Sequence, residues 1–138
     1  MSNQVVGSIA RISVPSVSPS TPVSQIASIM TAQNIGAVIV VNDFGALGIV
    51  TEKDIIEQLA LGKKDLYGVV AQDIMASPVI TINYDRKIKD ALKIMKDNGI
   101  RRLVVIKGER ILGLVTERRL LLATFAEQQS NSQSYLIA

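Results

Sequence analysis

The chain contains no cysteine and no histidine. Their absence excludes disulfides, thiol nucleophiles, imidazole general bases and the usual zinc sites. Only carboxylates and hydroxyls remain as metal ligands, and these favour Mg²⁺ that is held mainly by the phosphates of a bound ligand. We therefore predict a protein that is not an enzyme, requires no cofactor, and meets any Mg²⁺ together with a phosphate-bearing ligand.

Long apolar runs are also missing. The richest one, residues 35–41, has the length of a strand and falls far short of the roughly 18 residues of a membrane-spanning helix. The first eight residues lack a basic region followed by an apolar block and a cleavage site, so no signal peptide is indicated. We expect no membrane association and a cytoplasmic location.

Positive charge is scarce in the first part of the chain. Residues 1–52 hold one Arg and no Lys, whereas residues 86–119 are rich in both, and the net charge is +3 with a pI near 9.3. This balance would help an anionic ligand or a nucleic acid to approach. Aromatic residues make up only 4% of the chain, which leaves few platforms for stacking bases, so nucleic acid is the less favoured partner.

An internal repeat organises the sequence. The segment GIVTEKD at 48–54 returns as GLVTERR at 113–119, an offset of 65 residues. The same offset, without a gap, aligns further apolar positions: Ile9 with Ile74, Val14 with Val79, Ile35 with Ile100, and Val40 with Val105. The chain is therefore two copies of one unit.

Each copy has the pattern of a βαββα unit. Short strands are predicted at 14–17 and 79–82, followed by helices with apolar residues at i, i+3, i+4 and i+7, strand pairs at 37–41 with 46–50 and 103–106 with 111–115, and final helices beginning at Glu52 and Glu117. The prediction is an α+β fold of two repeats packed about a pseudo-twofold axis. Its parts are a lead-in (1–8), repeat 1 (9–60), a linker (61–73), repeat 2 (74–126) and a polar tail (127–138).

Helix ends carry their own signals. We expect Ser20 or Thr21 to cap the first helix with Pro22 at its opening position, and Asp85 to cap its counterpart. Asn34 and Gly99 are expected to end these helices in a left-handed conformation. The segment EQQSNSQS at 127–134 has little apolar content and is predicted to be solvated or disordered.

The repeated segment resembles a known family. The pattern hydrophobic-x-Gly-hydrophobic-Val-Thr-x-x-Asp at Leu47–Asp54, repeated after 65 residues in a β-α-β-β-α frame, is similar to the CBS (cystathionine β-synthase) domain. From about Ile9 to Phe125 the chain resembles a stand-alone CBS pair. The resemblance implies a regulatory module that binds AMP, ADP, ATP or an S-adenosyl compound for an unidentified partner protein, and that forms homodimers.

The resemblance also implies the binding residues. The motif Asp holds the ribose and the motif Thr contacts ribose or phosphate, while adenine lies against the first strand and the start of the second strand of the opposite repeat. The implied site comprises Thr51, Lys53, Asp54, Ser77, Pro78, Val79, Ile80, Thr81, Ile100 and Arg101. A second, altered site would use Ser13, Val14, Ser16, Ile35, Gly36, Arg102, Thr116 and Arg119.

Several of these residues also have a purely structural interpretation. Thr51 with Asp54 matches a helix capping box, and Gly48 and Gly113 can serve strand packing alone. Arg119 stands where repeat 1 has Asp54, and because arginine has donors only, it cannot accept a hydrogen bond from a ribose hydroxyl. Arg119 can instead bind phosphate or lie in solvent.

Arg101 and Arg102 likewise allow two interpretations, a phosphate clamp or surface charges paired with acidic neighbours. The sequence thus favours a ligand sensor with one good site and one altered or empty one. The alternatives are an interaction module whose nucleotide site has decayed and a nucleic-acid-binding regulator.

Overall fold

The structure is a computed structural model that describes residues 4–62 and 66–137, the last eight of them by their backbone alone. Its elements in chain order are α1 (Val6–Ile9), β1 (Arg11–Ile12), β2 (Ser16–Val17), α2 (Val23–Gln33), β3 (Ala37–Asn42), β4 (Gly45–Thr51), α3 (Glu52–Ala60), α4 (Ala71–Ile74), β5 (Thr81–Asn83), α5 (Ile88–Asn98), β6 (Arg102–Lys107), β7 (Arg110–Thr116) and α6 (Glu117–Ile137). The two predicted βαββα repeats are confirmed.

The elements form two compact units. The repeat-1 unit is Ser13–Val79, and the repeat-2 unit joins the described residues up to Ile12 to those from Ile80 onwards. The repeat-1 unit has a three-stranded sheet in the order β2-β3-β4, and the repeat-2 unit a four-stranded sheet in the order β1-β7-β6-β5. In the repeat-1 unit, β2 is parallel to β3, and β3 is antiparallel to β4. In the repeat-2 unit, β5 is likewise parallel to β6, and β6 is antiparallel to β7. The register shifts after Val40 and after Val105, which are equivalent positions.

The middle strands are buried on both faces, as the absence of alternation in the sequence predicts. Three successive residues of β3, Val38 to Val40, are fully buried, and Leu103 to Val105 of β6 repeat the pattern. The helices cover these strands with the predicted stripes: Val23, Ile26 and Met30 from α2, and Ile88, Ala91 and Met95 from α5. Each unit therefore has its own apolar core.

Each unit also contains a short segment from the other half of the sequence. Helix α1 adds Val6 and Ile9 to the core of the repeat-2 unit, and β1 then pairs with the edge of β7. In the repeat-1 unit, α4 adds the buried Ala71, and Ala76 pairs with Ile49 of β4. Each repeat is thus preceded in the sequence by a segment that packs into the other unit. The domain boundaries predicted from the sequence follow the 65-residue repeat alone and do not include this exchange.

The predicted N-caps of α2 and α5 are wrong. Helix α2 begins at Val23 with Pro22 as its N-cap, and α5 begins at Ile88 with Lys87 as its N-cap. The Thr21 hydroxyl contacts Ser18 instead. The first amides of α2 find backbone partners, because Val23 N–H donates to the carbonyl of Val69 at 2.8 Å and Ser24 N–H donates to that of Leu66. A helix whose first amides bond to a neighbouring segment needs no capping side chain.

The predicted C-terminal ends of these helices are confirmed. Asn34 and Gly99 both adopt left-handed conformations, with φ of 50° and 63°. Residues 127–134 were predicted to be solvated or disordered; the second alternative is wrong, because the backbone of α6 continues as helix through Ile137. Among the helices of the described residues, none is both long enough and apolar enough to cross a membrane.

Candidate functional site

The first turn of α3 brings together the motif residues of repeat 1. The Asp54 Oδ2 atom accepts hydrogen bonds from the backbone N–H of Thr51 at 2.8 Å and from the Thr51 hydroxyl at 3.0 Å. Thr51 is buried and Asp54 is half-buried. The capping interaction predicted from the sequence is present, and it fixes the position of the Asp54 carboxylate.

Three segments of the repeat-1 unit meet at the same edge of its sheet: the end of β4, the start of β3 and the chain that enters β2. Because β4 is antiparallel to β3, the end of β4 at Thr51 lies opposite the start of β3 at Ala37. Because β2 is parallel to β3, the chain that enters β2 lies at this edge as well. The Glu52 N–H donates to the carbonyl of Gly36 at 3.1 Å, which joins the start of α3 to the residue before β3.

The residues that enter β2 complete this edge. Pro15 accepts a hydrogen bond from the Ile39 N–H at 3.0 Å, and Ser16 is the registered partner of Ile39. Ser13 has a left-handed backbone with φ of 65°, which is uncommon for a residue with a side chain. The structure therefore places Ser13, Val14 and Ser16 on one side of β3 and the α3 motif on the other.

The absence of a side chain at Gly36 leaves room at this edge for the side chain of Glu52. A Cβ at this position would lie 2.6 Å from Oε1 of Glu52, so the Glu52 side chain extends over the glycine. In repeat 2 the equivalent positions are Arg101 and Glu117, and the Glu117 N–H donates to the Arg101 carbonyl at 2.9 Å. The two repeats thus share a backbone arrangement but differ in the side chain that occupies the edge.

The repeat-2 unit has the corresponding edge with different chemistry. Arg102 pairs with Thr116, and Ile80 accepts a hydrogen bond from the Val104 N–H, as Pro15 does from Ile39. The Arg119 N–H donates to the Thr116 hydroxyl at 3.1 Å, so Thr116 caps α6. The cap therefore persists in the repeat where the motif aspartate is replaced.

Arg119 has a partner that the sequence analysis missed. Its Nε atom donates a hydrogen bond to the carbonyl oxygen of Ile9, at the end of α1. A charged donor at the carboxyl end of a helix is favourable both as a hydrogen bond and toward the helix dipole. At this position repeat 2 therefore has a structural contact that holds its added N-terminal segment.

Gly48 and Gly113, which occupy equivalent positions of the two repeats, are explained by the added segments. A Cβ at Gly113 would overlap the carbonyl oxygen of Arg11 in β1 and lie 2.9 Å from its carbonyl carbon. A Cβ at Gly48 would lie 2.5 Å from Sδ of Met75 and 3.0 Å from the carbonyl oxygen of Ala76. Strand packing accounts for both glycines, which was one of the two interpretations of the sequence.

The predicted site residues are divided between the two units. From the main set, the repeat-1 unit contains Thr51, Lys53, Asp54, Ser77, Pro78 and Val79, and the repeat-2 unit contains Ile80, Thr81, Ile100 and Arg101. Within the repeat-1 unit, the start of α3 lies beside Gly36, which the sequence analysis assigned to the second site, because the Glu52 N–H donates to the Gly36 carbonyl. Glu52, which the sequence analysis considered only as a helix start and part of a capping pattern, also lies at this edge, beside Gly36.

Comparison with known proteins agrees with this architecture. The family model of the CBS domain matches twice, at residues 6–61 and 70–125. The chain belongs to the CBS domain family. Both matched segments begin before the sequence repeat recognised above, so they include α1 and α4, the helices that pack into the other unit.

Several proteins resemble this CBS pair. An uncharacterized protein of Methanopyrus kandleri is 35% identical over 95% of this chain and 71% of its own length. Among solved structures, the hexameric CBS-CP12 protein from bloom-forming cyanobacteria is 24% identical, with a TM-score of 0.77 over 88% of this chain and 72% of its own. The CBS domain pair of protein MJ0100, solved with 5′-methylthioadenosine and S-adenosyl-L-methionine, is 23% identical, with a TM-score of 0.73 over 91% of this chain and 99% of its own. CBS pair proteins generally act as regulatory ligand-binding modules.

Proposed function

We propose that this CBS pair is a regulatory sensor of an adenine nucleotide or an S-adenosyl compound. The observation that carries the proposal is the Asp54 carboxylate, which Thr51 holds at the start of α3, where the Glu52 N–H donates to the Gly36 carbonyl. An ionised carboxylate has about four lone-pair positions. Two hydrogen bonds from Thr51 leave capacity for ribose hydroxyls, so Asp54 can cap the helix and bind a ligand at the same time.

The start of α3 also suits a phosphate. A helix N-terminus carries partial positive charge and directs backbone N–H groups outward. Lys53 is exposed in this first turn and adds a full positive charge. Ribose on Asp54 with phosphate near Lys53 is the arrangement that we propose, and a Mg²⁺ ion would enter only with the phosphates of the nucleotide.

Two further observations support a ligand at this edge. The left-handed Ser13 is a strained residue at the same edge of the sheet as the motif, and such residues cluster at ligand clamps and functional sites. The MJ0100 pair, which has the same fold, was solved with two adenosine compounds. We propose that Ser77 to Thr81, Ile100 and Arg101 contact the adenine, as the family resemblance implies.

We propose that the site in repeat 2 is altered. Arg119 replaces the ribose-binding aspartate and donates to the Ile9 carbonyl, so this position already has a structural function. Arg102, at the start of β6, brings positive charge to the same edge and suits phosphate rather than ribose. One high-affinity nucleotide per chain is the expected stoichiometry.

The proposed output is a change in a partner protein. A ligand shifts a conformational equilibrium only when it contacts two states differently, and no covalent step is needed. We propose a cytoplasmic homodimer that performs no catalysis and regulates a separate protein. The second candidate is an interaction module without a nucleotide, which the structural use of Arg119 favours.

Thermal unfolding tests the proposal. The protein is heated alone and with millimolar AMP, ADP, ATP or S-adenosylmethionine, and a ligand at about 100 times its Kd stabilises the folded state by about 2.7 kcal/mol. Asp54→Ala should weaken binding of the active ligand by about 1.5–3 kcal/mol, the range for charged hydrogen bonds. The affinity is measured by isothermal titration calorimetry.

Asp73→Ala is the matched control. Asp73 accepts a backbone hydrogen bond from Val70 three residues earlier, as Asp54 does from Thr51, but it lies outside the proposed site. The control should keep its affinity. No stabilisation by any of the four compounds would refute the sensor and favour the interaction module.

A further inference from the structure

Helix α5 presents a row of positive charges to solvent. We name this row the α5 basic stripe, and its members are Arg86, Lys89, Lys93 and Lys96. The spacings of four and three residues place the three lysines on one side of the helix, over a length of about 10 Å. Arg86 precedes the helix and extends the row through an ion pair with Asp90 in the first turn. All four members of the stripe are exposed.

The corresponding row of repeat 1 carries no charge. The 65-residue offset places four hydroxyl residues at these positions: Thr21, Ser24, Ser28 and Thr31. Both α2 and α5 bury an equivalent apolar side, so the fold does not require cations on the exposed side. The sequence of the repeat-1 unit has three Lys or Arg against six Asp or Glu, and the rest of the chain has twelve against six. The stripe is therefore a property of repeat 2 that packing does not explain.

Acidic neighbours offset only part of the charge of the stripe. Lys93 Nζ lies 3.4 Å from Oδ2 of Asp97, and these two side chains are 77% and 56% exposed. A surface pair of this kind contributes at most about 1 kcal/mol, so an anionic partner can replace it. Among the residues that the structure describes, no carboxylate forms an ion pair with Lys89 or Lys96. At least two cations of the stripe are thus available to a partner.

We propose that the α5 basic stripe binds the phosphate backbone of a nucleic-acid duplex without regard to base sequence. A duplex carries one negative charge per about 1.7 Å of its axis, so about six charges lie along the 10 Å from Lys89 to Lys96. Lysine binds phosphate as a flexible point charge and needs no fixed geometry. Aromatic residues are scarce in this chain, which disfavours single strands bound by stacking, but contacts to a duplex backbone need none.

An acidic segment of a protein is less suited to this row. Protein interfaces are depleted in Lys and depend on large aromatic or apolar anchors near their centre. The stripe consists of charged side chains alone, which is sufficient for phosphate contacts. The inference does not depend on the nucleotide site of the proposed function, because the Thr51–Asp54 motif lies in the repeat-1 unit.

Fluorescence anisotropy tests the proposal. The full-length protein is titrated into labelled duplexes of about 20 base pairs, in two unrelated sequences, at salt concentrations from about 50 to 200 mM. We expect equal affinity for both sequences. The slope of log K against log salt should lie between about −1.8, for Lys89 and Lys96 alone, and about −3.6, for all four cations. Absence of duplex binding at about 50 mM salt and about 100 μM protein would refute the proposal.

The double variant Lys89→Gln/Lys96→Gln should make the slope less negative by about 1.8 and lower the affinity at about 50 mM salt by about tenfold or more. Both side chains are exposed and glutamine is a good helix former, so circular dichroism should show an unchanged fold. Polyglutamate that displaces the duplex at an equal concentration of charge would overturn the proposal in favour of an acidic protein partner.

Arg11→Gln controls for the loss of positive charge alone. Arg11 is exposed and lies in β1, at the opposite edge of the sheet from β5, which leads into α5. This variant should keep the slope and the affinity of the parent, whereas the single variant Lys89→Gln should make the slope less negative by about 0.9. Equal losses in Arg11→Gln and Lys89→Gln would show attraction by net charge and overturn the assignment to the stripe.

Discussion

Gly113 provides a quantitative test of how the N-terminal segment joins the repeat-2 unit. In Gly113→Ala, the new methyl group would overlap the backbone of Arg11, and a backbone neighbour cannot swing away as a flexible side chain can. Strand β1 must therefore move away from β7. We expect a loss of about 2–4 kcal/mol, from about 1–3 kcal/mol of overpacking and about 1 kcal/mol for a broken ladder hydrogen bond.

The assay is urea unfolding at one fixed protein concentration, followed by circular dichroism. At about 4 °C per kcal/mol for a chain of this length, the same loss should lower the Tm by about 8–16 °C. Gly48→Ala is the matched control in the other repeat, where the nearest atom is the flexible Met75 sulfur, and overpacking there should cost only about 1 kcal/mol. A Gly113→Ala protein as stable as the parent, or more stable than Gly48→Ala, would refute this reasoning.

Two further predictions concern charged side chains of the repeat-2 unit. Arg119→Asp should create a second nucleotide site and raise the calorimetric stoichiometry from one to two nucleotides per chain. The adjacent Arg118→Asp is the control and should leave the stoichiometry at one. A stoichiometry of one in both variants would contradict the proposed asymmetry. Arg86 Nε donates a hydrogen bond to Oδ2 of Asp90 at 3.2 Å, and this bond lowers the pKa of Asp90 below its usual value. The pair should therefore stabilise the fold at a pH above the ordinary carboxyl pKa, and this stabilisation should be lost as the pH falls through the lowered pKa. NMR titration of the Asp90 carboxyl should show a higher pKa in Arg86→Gln, and an unchanged value would exclude Arg86 as the cause.

The repeated elements were predictable because local patterns determine them. Apolar runs without alternation marked β3 and β6 as doubly covered strands, and helical periodicity marked α2 and α5. The left-handed ends at Asn34 and Gly99 followed from residue chemistry alone. The Thr51–Asp54 cap was also visible, because it depends on two residues three positions apart.

The added segments were not predictable in the same way. Helices α1 and α4 have four residues each, too few to show a helical period. Their packing into the other unit depends on contacts between residues that are distant in sequence. The predicted caps of α2 failed for a related reason, because a backbone carbonyl of the linker, at Val69, has no signature in the side chains.

The helical backbone of residues 127–134 shows that amino-acid composition alone does not predict whether a polar segment is ordered. Residues 127–134 are polar, which favours disorder in an isolated segment, but they directly continue a helix that Leu120 anchors in the core. Helix propagation adds one hydrogen bond for each residue fixed and avoids the unfavourable nucleation step. A polar sequence can therefore extend an existing helix where it would not start one.

The contrast between Asp54 and Arg119 connects the fold to the proposed function. In repeat 1, a helix cap holds a carboxylate in place before any ligand arrives, so binding does not have to order that side chain. In repeat 2, the same position in the helix directs an arginine to the end of α1, and the cap is kept by Thr116 alone. Capping is therefore common to both repeats, while the residue three positions later is free to differ. In the proposed function, that freedom lets repeat 1 bind the ligand while repeat 2 retains its N-terminal segment.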